Sequence, residues 1–166
     1  MGRLELSRKA SNQRYMFLKS NYQKSNSITS VKFPISLLAK QTAEKILQSK
    51  TTVSRQKLGD ILFDELADGA GVDIVKLKIS DTRQYHKRYN GRIVSKQYGY
   101  YRPKSNYIYI QNLTPARGQI LAPKSFLNTL LHEWLHHYDI HKLRLNSIHT
   151  KGFYLRLDSL KEKLGI

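Results

Sequence analysis

No cysteine occurs in the 166 residues, which excludes disulfides and thiolate metal sites and leaves histidine and carboxylate as the strong metal ligands. Acidic residues are scarce: 12 Asp and Glu stand against 29 Lys and Arg, a formal charge of +17. A field of that sign favours polyanions, and nucleic acid is the commonest of these in a cytoplasm. No apolar run approaches the roughly 18 residues of a membrane-spanning helix. The start, Met1-Gly2-Arg3-Leu4-Glu5-Leu6-Ser7-Arg8-Lys9, has no apolar stretch of signal-peptide length. The expectation is a soluble, cytoplasmic protein, compatible with nucleoid association and without a membrane partner. With 40% apolar residues, the chain has room for one modest domain.

What is present is unevenly spread. Residues 1–57 hold 12 Lys and Arg against Glu5 and Glu44, whereas residues 58–75 hold five acids and no base. Residues 76–131 return to 11 bases against Asp81 alone. Two basic regions therefore flank an acidic helix.

The densest chemistry lies in Thr129-Leu130-Leu131-His132-Glu133-Trp134-Leu135-His136-His137-Tyr138-Asp139, an HExxH motif. Residues four apart share a helix face, so His132 and His136 can reach one metal ion, with Glu133 beside them as general base. Phe126, Leu127, Leu130, Leu131, Trp134, Leu135 and Tyr138 form a broad apolar stripe, and Ser125 after Pro123 is the expected N-cap. Polar groups on so apolar a helix are costly unless paired or bound to metal. A hydrolytic zinc site uses three protein ligands and keeps a position for water. His137 is turned about 100° from His136, and His141 lies about half a turn off the ligand face. His149 follows the expected helix end at Leu145-Asn146-Ser147 and can fold back to the metal. It is the first candidate, with Asp139 or Glu162 as substitutes.

This motif, followed by His149-Thr150-Lys151-Gly152-Phe153-Tyr154 and preceded by Tyr98-Gly99-Tyr100-Tyr101-Arg102-Pro103 and Tyr107-Ile108-Tyr109-Ile110-Gln111-Asn112, resembles the SprT-like (Spartan-type) zinc metallopeptidase family. The resemblance covers the chain from about Leu58 onward. It implies a zincin-like α+β fold, with a small antiparallel or mixed sheet packed on the HExxH helix behind N-terminal helices. It implies one zinc ion on His132, His136 and His149, Glu133 as the catalytic acid-base residue, and proteolysis of DNA-bound proteins. Some members carry a cysteine zinc ribbon; this cysteine-free sequence holds none, so DNA contact is expected elsewhere.

Residues 1–30, rich in Ser, Asn, Gln, Lys and Arg, read as a mobile basic arm with a short helix around Tyr15-Met16-Phe17-Leu18, and residues 31–166 as the single domain. Phe33-Pro34-Ile35 opens a helix to about Ser49, and a second runs from Ser54 to Asp68 until Gly69-Ala70-Gly71. Val72–Ile79 reads as the first strand. Asn90-Gly91 predicts a hairpin of Tyr85–Tyr89 with Arg92–Tyr98. Tyr100–Arg102 and Tyr107–Asn112 add strand on either side of a turn at Pro103-Lys104-Ser105-Asn106.

Arg83, Lys87, Arg88, Arg92, Lys96, Arg102 and Lys104 alternate with Tyr85, Tyr89, Tyr98, Tyr100 and Tyr101. Cations meet phosphates and tyrosines stack on unpaired bases, so this stretch is the expected nucleic-acid surface, with single-stranded DNA included. The bland alternative is a hairpin with tyrosines packed inward. For the reaction, Tyr154 or His137 are candidate oxyanion donors, Asp139 orients a histidine ligand, Trp134 is core, and the protein substrate adds along an edge at Tyr107–Asn112. DNA would raise the effective concentration of that substrate. Three rivals stand beside this reading. One is a nucleic-acid-binding protein with a structural zinc closed by His141 or Asp139. Another is a three-histidine ribonuclease, against which Glu133 argues. The third is an anti-restriction factor of a mobile element, with a zincin-like core and little or no peptidase activity.

Overall fold

A computed structural model describes residues 12–14 and 20–166; the Tyr15–Leu18 cluster of the expected short helix and the basic residues Arg3, Arg8 and Lys9 lie outside the described residues. The architecture is α+β. Helix α1 is described over residues 20–27, followed by α2 (Leu37–Gln48), α3 (Thr52–Ala70), α4 (Pro123–His141) and α5 (Lys151–Leu164). Five strands lie between α3 and α4: β1 (Lys76–Arg83), β2 (Tyr85–Tyr89), β3 (Arg92–Gln97), β4 (Gly99–Arg102) and β5 (Tyr107–Leu113). They form a mixed sheet in the order β1-β5-β4, parallel between β1 and β5 and antiparallel between β5 and β4, and a separate β2-β3 ribbon. Among the described residues no helix is long and apolar enough to cross a membrane.

Alternation decides which way the sheet faces. Ile108, Ile110 and Asn112 of β5 are buried while Tyr107, Tyr109 and Gln111 are only half covered, as period 2 requires. The buried side meets α3 and α4. Gly59 of α3 permits a close approach there, since a Cβ would come within 2.6 Å of the Leu77 side chain. The core then fills with Leu62, Phe63, Leu66, Ile108, Ile110, Leu127, Leu130, Leu131, Trp134 and Leu135. Phe33 closes it against Trp134 and Tyr138, with ring centroids 5.7 and 5.2 Å away.

Several expectations shift. Helix α2 begins at Leu37 because Ser36 caps it by accepting from the Ala39 N–H. Helix α3 continues through Gly69 and Ala70 to the left-handed cap Gly71. The first strand is Lys76–Arg83 and not Val72–Ile79, because the Val72 N–H bonds back to Ala67 and so closes the helix. Helix α4 starts at Pro123 with Ala122 as its cap, which places Ser125 inside the first turn. It stops at His141, before Leu145-Asn146-Ser147, where Arg144 already has a φ of 56°. Asn90 and Gly91 do form the hairpin turn, with φ of 48° and 74°.

The largest correction concerns the N-terminal arm. Over residues 20–30 the chain is packed on the domain, with Asn21 and Ser25 buried, so the domain begins before residue 31. The Asn21 side chain accepts from the Asn146 N–H at 2.9 Å, and that of Asn26 accepts from the Gly152 N–H at 2.9 Å. Ser25 and Thr150 share a buried 2.7 Å hydrogen bond.

Candidate metal centre

Helix α4 supplies two members of the site and the loop behind it a third. Its buried residues run nearly all round, but His132 and His136 stand on the side left partly open. After α4 ends, residues 142–150 turn back and Thr150 caps α5, accepting from the Phe153 N–H. This holds His149 over the helix. The α1 contacts at Asn146, Thr150 and Gly152 pin both ends of that turn, joined by Lys24 Nζ donating to the Leu143 carbonyl at 3.0 Å. Gly152 is required here, because a Cβ on it would collide with the Ser25 carbonyl oxygen.

The three Nε2 atoms form a near-equilateral triangle: 3.0 Å from His132 to His149, 3.2 Å from His132 to His136, and 3.0 Å from His136 to His149. Each nitrogen carries either a proton or a lone pair, so two of the three must be alike. At least one contact is therefore repulsive if the histidines have only each other. One cation that accepts all three lone pairs removes the conflict. The spacing suits it, since ligand nitrogens about 2.0–2.1 Å from a tetrahedral ion lie about 3.3 Å apart. Burial and the neighbouring imidazoles press His132 down to about 4 and His136 down to about 3, so both are neutral, as ligation requires.

The rings are backed on two sides. Phe153, fully buried, lies beneath all three, with centroids 4.7 Å from His136, 4.9 Å from His132 and 5.2 Å from His149. Behind His136, a chain of hydrogen bonds fixes the tautomer. With Nε2 free to ligate, Nδ1–H donates to Ser147 Oγ at 2.7 Å, and the Ser147 hydroxyl donates to Asp139 Oδ2 at 3.4 Å. Asp139 is in turn held by Arg156, which donates at 2.6 and 3.0 Å, both groups being fully buried. Asp139 thus orients a candidate ligand at one remove, through Ser147.

Glu133 is 8% exposed, and burial pushes its carboxyl up to about 7. Among the described residues no ion pair engages it. Such a carboxyl can take and return a proton near neutrality. Comparison with protein-family models, with curated proteins and with solved structures gave no match. The site is therefore read from its own geometry. A cavity of about 690 Å³ lies along the first half of α4, lined by apolar Leu47, Leu121, Leu127 and Leu131 and by polar groups that include Ser125, Asn128 and Thr129; none of His132, Glu133, His136 and His149 lines it. By helical spacing Ser125, Asn128 and Thr129 continue the face of His132 toward the start of α4.

Other sequence candidates go elsewhere. His137 is fully buried and faces away: its Nε2–H donates to the Asp73 carbonyl at 2.7 Å and its Nδ1 accepts from Tyr101 at 2.9 Å. It has no lone pair or proton left for an oxyanion. His141 donates to the same Tyr101 hydroxyl at 3.0 Å, so neither it nor the Arg156-bound Asp139 closes the metal site. Tyr154 does lie near, 47% exposed with its ring 6.0 Å from that of His149. Glu162, the other substitute ligand, lies outside the cluster. The expected substrate edge at Tyr107–Asn112 does not exist, because β5 is the central strand, paired with β1 on one side and β4 on the other.

The nine expected nucleic-acid residues fall in three places. Tyr85, Lys87, Arg88, Tyr89, Arg92 and Lys96 are all exposed on the β2-β3 ribbon, so its tyrosines are not packed inward. Arg102 and Lys104 lie at the other end of the three-stranded sheet, where β4 leaves and β5 begins. Arg83 reaches the loop before α4, donating to the Ala116 carbonyl at 3.4 Å. Tyr101 turns inward to His137, with which it packs edge-on at 5.5 Å.

Sequence reasoning missed two buried arginines. Arg156 is one. Arg55 is the other: it donates to Asn112 at 2.6 Å and to the Leu121 carbonyl at 2.7 Å, and lies 4.5 Å over the Phe126 ring, which seats the start of α4 against β5. A signal existed, since each occupies a position on its helix's buried stripe, beside Leu62 and Leu66 in α3 and beside Phe153, Leu157 and Leu160 in α5.

Proposed function

We propose that the chain is a zinc-dependent peptidase of the SprT-like, zincin-like type, acting on proteins associated with DNA. The observation that carries this reading is the convergence of three imidazole Nε2 atoms, two of them four residues apart on α4 as HExxH places them, with the buried carboxyl of Glu133 next in sequence to His132. His132, His136 and His149 would hold the ion; zinc supplies a Lewis acid that polarises a carbonyl and makes water acidic near neutral pH.

The chain's own residues supply the rest. Glu133 takes the proton of the attacking water and returns it to the departing amine nitrogen. Phe153 keeps the imidazoles apart from water below, and Ser147 with Asp139 and Arg156 holds His136 in its ligating tautomer. Tyr154, whose ring lies 6.0 Å from that of His149, is the candidate donor to a developing oxyanion. Extended substrate adds along the outer edge of β4, whose Tyr101 touches α4 one residue beyond His136. His141 and Asp139 are both committed elsewhere, which favours an open catalytic position over a closed structural one.

The test is Glu133→Gln. Zinc content is expected to stay at one per chain while cleavage of a DNA-bound protein falls about 10²–10⁴-fold. Cleavage at the wild-type rate with zinc retained would remove Glu133 from the chemistry, and no cleavage by the wild type would favour the anti-restriction alternative.

A further inference from the structure

The side of the sheet turned away from α3 and α4 has its own composition. Register places Lys76, Tyr107 and Arg102 in one row across the three strands, and Lys78, Tyr109 and Tyr100 in the next. Residues two apart on a strand share a face, so these six side chains form one surface. Tyr100 and Tyr109 stack with centroids 5.2 Å apart and planes at 12°. The Arg102 guanidinium lies 4.8 Å over the Tyr100 ring and 6.0 Å over that of Tyr107. Ser105 completes the lining of a cavity of about 330 Å³ among Lys76, Tyr100, Arg102, Tyr107 and Tyr109.

No carboxylate occupies either row, and among the described residues none of Lys76, Lys78 and Arg102 makes an ion pair. On a chain of +17 this is an aromatic surface with uncompensated cations, and the ligand complementary to it is an anion that also offers flat apolar faces. Folded duplex hides its bases, whereas a single strand presents phosphates and bases together.

We propose that this sheet face binds single-stranded nucleic acid: Tyr107 and Tyr109 stack on bases, extending the row already formed with Tyr100, while Lys76, Lys78 and Arg102 contact phosphates. This platform lies apart from the β2-β3 ribbon, whose tyrosines have no such row. It gives the partner of the proposed peptidase a place to bind, and because the assay reads binding and not cleavage, its failure leaves the peptidase reading standing.

The experiment is fluorescence anisotropy of a labelled 15-residue oligodeoxythymidine with the full chain, wild type beside Tyr109→Ala, Lys78→Gln and the ribbon variant Lys87→Gln/Arg88→Gln. Tyr109→Ala is expected to weaken binding roughly tenfold with the salt dependence unchanged. Lys78→Gln is expected to weaken it a few-fold and to lower the salt slope by about 0.7. Wild-type affinity in Tyr109→Ala, loss confined to the ribbon variant, or equal affinity for a duplex of the same length would overturn the proposal. If Tyr109→Ala does not fold, photocrosslinking of a 5-iododeoxyuridine oligonucleotide to the wild type decides. Adducts on Tyr107 or Tyr109 support the platform, and adducts on the ribbon alone refute it.

Discussion

Helix α4 carries two pairs of histidines at the same four-residue spacing, His132 with His136 and His137 with His141, and they are put to opposite uses. In the second pair a tyrosine stands between the rings, and every nitrogen that meets it has a hydrogen-bond partner: His141 donates to Tyr101, Tyr101 donates to His137, and His137 donates to the Asp73 carbonyl. In the first pair a third histidine stands there instead, and three like nitrogens face one another at 3.0–3.2 Å. Spacing alone therefore does not make a metal site. The residue brought from outside the helix decides whether the pair is satisfied by hydrogen bonds or calls for a cation.

The support behind the two clusters differs as well, and breaking it separates them. Arg156→Ala should have the largest effect. It leaves Asp139 as an uncompensated buried charge, frees Ser147 and His136, and removes the grip on the Ser25 and Ile28 carbonyls, so a loss of about 3–5 kcal/mol is expected in chemical denaturation. Unchanged stability would mean that the Asp139 pair is dispensable. Tyr101→Phe should cost less, about 1–3 kcal/mol, because the buried Nδ1 of His137 loses its donor. Its metal content should equal that of the wild type; a change there would join the two clusters that the geometry keeps apart.

Acidification of the metal-free protein gives the smallest effect. His132 and His136 titrate at about 4 and about 3 when folded but near 6.5 when unfolded, so the unfolded state takes up more protons as pH falls. In the metal-free Glu133→Gln variant, which removes the opposing proton uptake of the Glu133 carboxyl at about 7, the stability present above pH 6.5 should decline toward pH 4, by roughly 1 kcal/mol between pH 7 and 5.5 once solvent screening is allowed for. Zinc should abolish that slope over the same interval by holding both rings neutral. A metal-free Glu133→Gln protein equally stable at pH 7 and 5.5 would contradict the depressed values.

How much of this was legible depended on sequence distance. The HExxH spacing, the Asn90-Gly91 turn and the apolar stripes of the helices are local signals, and they predicted α4, the ribbon and most helix bodies. His149 was reached because only a few residues near the motif could serve. The second half of β1, Ser80-Asp81-Thr82-Arg83, has no apolar alternation, and its strand state comes from pairing with β5, which no local pattern records. The central place of β5 was hidden for the same reason. Asn21, Ser25 and Asn26 read as solvated tail because their partners are backbone and hydroxyl groups some 125 residues away. Arg55 and Arg156 were visible as misfits on apolar stripes, but Asn112 and Asp139 as their partners were not.

The most direct test of the central claim is the zinc content of the purified protein, wild type beside His149→Ala and His141→Ala. One zinc per chain in the wild type and in His141→Ala, with none in His149→Ala, is the predicted result. Zinc retained by His149→Ala and lost by His141→Ala would contradict the assignment and move the metal to the other pair of histidines.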